Sequence, residues 1–172
     1  VCVAGNVELD EVKALAEKYF APIPSGNKYI RNIAAEPVQT ERRMLRVEKD
    51  VPVSLIMKAY HIEDRNHAHY YTADVLTEIL SSGKSSPLYN DLVKEKKLFS
   101  QVNCYHTGSL DKGLLVVMGN LIDGILPEDG EKAMDVVLQK LISEGVSETE
   151  LSKVRNKIES LISYHEFASQ NS

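Results

Sequence analysis

The chain has 172 residues, 43% of them hydrophobic and 26% charged, which is enough apolar material for one core and too little for two comfortable domains. Its net charge of -5 and pI near 5.6 argue against a nucleic-acid or anionic-membrane surface, because such binding needs clustered Lys and Arg to neutralise phosphates. No apolar run approaches the roughly 20 residues of a membrane-spanning helix, no basic-then-apolar leader opens the chain, and Cys2 and Cys104 lack CxxC spacing, so they read as buried thiols or a single pair.

Val1-Cys2-Val3-Ala4-Gly5 reads as a buried strand that starts without an initiator Met, and Phe167 to Ser172 ends without a clear stop signal. The expectation is a piece of a larger protein. Val12, Leu15, Ala16, Tyr19 and Phe20 recur at helical spacing and form one apolar face, ended by Pro22 and Pro24. Ser25 to Thr40 is a polar connection. Arg42 to Lys49 and Val53 to Ile62 read as strands, broken at Asp50-Val51-Pro52. The second alternates Val53, Leu55, Met57 and Ala59 with Ser54, Lys58 and Tyr60.

A helix is expected from about Asn66 to Ser81, with Ala68, Tyr71, Val75, Ile79 and Leu80 on its inner side and Gly83 closing it. Ser86 is placed to cap the next helix and Pro87 to fill its first turn; Leu88 and Leu92 then share a face, and the helix ends near Lys97. Leu98 to Thr107 and Gly113 to Leu121 read as two strands joined by a turn at Gly108 to Lys112. Ala133, Val137 and Leu141 mark a helix stopped at Gly145. Ser147-Glu148-Thr149-Glu150 fits a capping box, with Val146 and Leu151 as its staple, for a last helix that presents Leu151, Val154, Ile158, Leu161 and Ile162. The order is strand, helix, two strands, two helices, two strands, two helices. It predicts an α+β, two-layer sandwich of a largely antiparallel sheet covered by helices.

Three segments in sequence carry a resemblance. Val3-Ala4-Gly5-Asn6-Val7 leads through Glu11-Val12 to Tyr19-Phe20; Ser85-Ser86-Pro87-Leu88-Tyr89 is followed by Leu92-Val93-Lys94-Glu95-Lys96-Lys97-Leu98; and Gly145 to Leu151 forms the last. In this order they resemble the second domain of a half of the pitrilysin-like (insulinase) zinc metallopeptidases. The resemblance implies a metallohydrolase-like domain of the pitrilysin or mitochondrial processing peptidase type, and a parent peptidase built as a clamshell of repeated domains. It also implies zinc in an adjacent catalytic domain, held by an inverted H-x-x-E-H helix whose Glu acts as base. No Glu-His pair exists among the 172 residues, so this chain cannot carry that motif.

The family's second site is an Arg and a Tyr that hold substrate backbone, within a Leu-Arg-x-x-x-x-Leu-x-Tyr segment. Leu92 and Leu98 match it, but Val93 stands at the Arg position and Ser100 at the Tyr position. That paired absence fits the domain directly behind the catalytic one.

Other clusters reduce to ordinary roles. His61, His67 and His69 lack zinc-ligand spacing, and His165-Glu166 near Tyr164 has no third group. Gly83-Lys84-Ser85 ends like a phosphate loop, but Glu78 occupies the required Gly position. Ser86, Ser109 and Cys104 show no paired base. No catalytic, metal or substrate-binding residue is therefore assigned. Residues 1–172 are expected to form a single noncatalytic domain lining a substrate chamber in a zinc endopeptidase. Its expected partners are the catalytic zinc domain, peptide or unfolded polypeptide, and a second half or homo-oligomer. Nucleic acid and a membrane span are not expected. The alternatives are a scaffold domain of an inactive family member and a peptide-binding module using a sheet edge.

Overall fold

The computed structural model describes residues 2–30, 34, 37–108 and 110–170, the last six through their backbone only. Two compact units divide it, Val1–Val47 and Glu48–Ser172.

The first unit is built on helix α1 (Leu9–Tyr19), which carries Asp10 and Glu11 in its first turn and Lys18 in its last, the charge order that a helix dipole favours. The Phe20 N–H closes it on the Ala16 carbonyl at 2.8 Å, just before Pro22. The strand expected at Val1 to Gly5 does not form: Cys2, Val3 and Ala4 are exposed and in no ladder, and Val1 lies outside the described residues. Arg42 to Lys49, which runs into the second unit, is likewise exposed and without strand structure. The physical reason is the same for both. Apolar alternation becomes a strand only when a neighbouring backbone completes its hydrogen bonds, and neither segment enters a ladder among the described residues.

The second unit contains β1 (Leu55–Ile62), α2 (Tyr70–Ser81), a π-helix (Tyr89–Glu95), β2 (Phe99–His106), β3 (Gly113–Leu121), α3 (Pro127–Glu144) and α4 (Glu148–Gln170). Its strands form one antiparallel sheet in the order β1-β3-β2. β3 sits in the middle because it is the most apolar strand, and Leu115, Val117 and Leu121 on it are buried. With Phe99, Leu80, Leu88, Leu92, Met134 and Val137 they form the core between sheet and helices. This is the expected α+β arrangement.

The alternation in β1 resolves against its apolar side. Ile56 and Ile62 are partly buried against the core and Lys58 bonds to α3, whereas Leu55 and Met57 are exposed. In α2 the inward face is Ala73, Leu76, Ile79 and Leu80; Tyr71 is exposed and Ala68 precedes the helix. The helix starts four residues later than expected because Asp64 closes a turn first. Its carboxylate accepts the Asn66 N–H at 2.9 Å and its carbonyl the His67 N–H at 3.0 Å.

α3 approaches the sheet closely at two glycines. A Cβ on Gly130 would stand 2.5 Å from Leu121 Cδ2 and 3.0 Å from Phe99 Cζ, and one on Gly119 would stand 2.6 Å from Phe99 Cδ1. Gly130→Val should therefore overpack the core by about 1–3 kcal/mol. Urea melts should show a lower midpoint with an unchanged slope; a wild-type midpoint would mean that α3 does not sit this close.

The capping box forms as read. Ser147 Oγ accepts the Glu150 N–H at 3.2 Å, and Glu150 Oε2 accepts the Ser147 N–H at 3.1 Å and its hydroxyl at 2.7 Å. These hydrogen bonds, from the hydroxyl first and then the backbone, hold the Glu150 carboxyl below its ordinary value of 4.5. Since the folded value is the lower one, the cap contributes fully above pH 4.5 and fades as pH falls through the folded value. Amide protection factors, corrected for the pH dependence of intrinsic exchange, should fall in the first turn of α4 in that acid window. Ser147→Ala should cost about 1 kcal/mol near neutrality and flatten the acid response; an unchanged acid response in S147A would sink this reading. Beyond Ile158 the expected apolar face runs free of the core, with Leu161 and Ile162 exposed.

Candidate functional site

The segment from Ser81 to Val102 holds the positions at which the family resemblance would place substrate contacts. α2 ends as the Ser82 N–H reaches the Glu78 carbonyl at 3.0 Å, and Gly83 takes the left-handed conformation at φ 76°. Ser86 is buried, but it does not cap the next helix by its side chain. Its hydroxyl donates back to the Gly83 carbonyl at 2.8 Å, because the turn folds that carbonyl onto it and a buried hydroxyl must find a partner.

The following helix is wider than expected. Its Lys96 N–H bonds to the Asp91 carbonyl five residues back at 2.9 Å, and the π-turn leaves Leu88 and Leu92 without exposed surface. Lys97, at φ 52°, turns the chain from this helix into β2. Val93 is partly buried against the core. Ser100 is exposed at an irregularity in the β2–β3 register, and its hydroxyl donates to the Asn120 carbonyl at 3.2 Å. An apolar side chain and a short hydroxyl thus stand where the resemblance would put the clamp, one packed against the core and one tied to the neighbouring strand. Glu78, at the position a phosphate loop would reserve for Gly, is bound by Lys157 of α4 at 2.5 Å. It ties two helices together.

The histidines are dispersed. His67 and His69 stand in ring contact at 5.0 Å before α2, with the His69 N–H on His67 Nδ1, while His61 lies on β1 and His106 ends β2. The side chain of His165 lies outside the described residues, as does Ser109. Among the described residues no three His, Cys, Asp or Glu side chains converge as metal ligands. This donor set does not fit the family's zinc. Cys2 is exposed, against the expectation of burial, and Cys104 is buried; both are free thiols. Burial pushes the Cys104 thiol up to about 12, which leaves it protonated and unreactive.

Two clusters escaped sequence reasoning. Lys58, 10% exposed, points from β1 to α3 and donates to Asp135 at 2.8 Å and Glu131 at 3.3 Å. Glu131 and Asp135 are four apart on one helix face, the only signal the sequence offered, and nothing in it names Lys58 as their partner. His106 Nε2 meets Asp74 Oδ1 at 2.5 Å, and the Tyr70 ring stands edge-on to the imidazole at 5.0 Å. The imidazole is 8% exposed, and its Nδ1 has no hydrogen-bond partner among the described residues. Asp74 and Tyr70 share a face of α2 at i and i+4, but His106 is 32 residues from Asp74. The cluster braces α2 against the end of β2. No helix among the described residues is long and apolar enough to cross a membrane.

Comparison with known proteins places this geometry. The family described as "Peptidase M16 inactive domain" matches residues 1–158. The zinc protease PqqE of Helicobacter pylori is 28% identical over 158 residues, covering 90% of this chain and 36% of that protein. The chain therefore spans little more than a third of the length of this curated relative. A crystal structure of a protease from Helicobacter pylori superposes with a TM-score of 0.82 at 28% identity, over 92% of this chain and 40% of that one. The inactive peptidase domain of a putative zinc protease from Bordetella parapertussis gives 0.57 at 27% identity, over 62% of this chain and 58% of that one. With the α+β architecture and the family match both extending over most of its length, the chain belongs to the peptidase M16 inactive domain family of the zinc proteases.

Proposed function

We propose that residues 1–172 act as one noncatalytic domain of a larger zinc-dependent endopeptidase that degrades or processes peptides. The domain packs beside the metal-bearing domain and forms part of the wall of a chamber that admits peptides or unfolded segments. Zinc and the catalytic Glu belong to the adjacent domain, and a second half or a second copy closes the chamber. The observation that carries this reading is the match of residues 1–158 to a family described as inactive, in a chain without any Glu-His pair. An H-x-x-E-H helix, with two His on the metal and the Glu as base, must be supplied from elsewhere.

The test has two arms. The purified chain, given zinc and an unstructured peptide, should leave the peptide intact; chelator-sensitive cleavage by this chain alone would overturn the noncatalytic reading. Mixed with a separately produced domain carrying H-x-x-E-H from the same longer protein, it should form a complex and raise cleavage at least tenfold. A metal domain equally active without it would remove the chamber role.

A further inference from the structure

We draw no further inference here: the strongest candidate, the apolar sheet face opposite Lys58 and Cys104 that carries Leu55, Met57 and Tyr105, carries nothing because nothing in the structure shows what covers it.

Discussion

Phe99→Ala should destabilise the second unit more than any other single truncation, by about 3–5 kcal/mol. The ring has no exposed surface and lies against both glycines at which α3 and β3 come closest. Truncation leaves a cavity that its neighbours cannot close cheaply, because Leu121, Met134 and Val117 around it are themselves fully buried in low-exposure positions. At roughly 2–4 °C per kcal/mol for a chain of this size, the melting temperature should fall by about 10 °C. Calorimetry or thermal circular dichroism reads this directly. A drop under about 2 °C would mean that the ring is not the core's central element. A refinement separates packing from generic loss. Gly119→Ala alone should crowd the ring, whereas in the F99A background its methyl group enters vacated space, so the two changes should be less than additive.

Lys58→Ala should cost about 2–4 kcal/mol, a surprising loss for an ordinary strand lysine. Its ammonium is nearly enclosed and holds two carboxylates of α3 that stand four residues apart. Without it Glu131 and Asp135 repel each other beside an apolar sheet. Asp135 is 43% exposed, so water offsets part of the loss and the upper end for a fully buried pair does not apply. Replacing all three together, K58M with E131Q and D135L, should recover most of the lost stability, because the two like charges that the lysine held together are removed with it. Urea denaturation of the single and triple variants checks both statements. If the single variant matches wild type, the cluster is a surface ornament; if the triple is as poor as the single, the lysine stem and not its charge holds α3 in place.

The two effects differ in how far the sequence announces them. Phe99 opens the strand read from Leu98 to Thr107 and is a core candidate by residue type, although strict alternation would set it with Gln101 and Asn103, and the irregularity before Gln101 brings it into the core with Cys104. Lys58 sits in an alternation whose other side, Leu55 and Met57, looks more apolar, so the pattern points the wrong way. A charged residue can face a core only when its partners are there, and those partners are more than 70 residues away. The His106–Asp74 contact is hidden for the same reason.

Local signals fared best where they are self-contained. Gly83 and Gly145 adopt the positive φ expected of helix stops, and Ser147 with Glu150 closes its cap within four residues. Ser86 shows the limit of that logic. The right residue type stands before a helix, yet its hydroxyl serves the preceding turn, because competition between two nearby backbone acceptors and donors is settled by the path of the chain.

By itself the sequence determined the family, through the ordered segments from Val3 to Phe20, Ser85 to Leu98 and Gly145 to Leu151, and it denied this chain the H-x-x-E-H motif. It also set most helices and the β2–β3 hairpin, whose spacing and punctuation are local properties. Only the tertiary structure decided which side of β1 meets the helices, that Lys58 and His106 are buried and paired with carboxylates that stay partly in water, and that the segments Cys2 to Gly5 and Arg42 to Lys49 enter no ladder among the described residues. Those outcomes depend on which distant group arrives to pair with a backbone or a charge, and pairing energy belongs to the two partners together, not to either stretch of sequence.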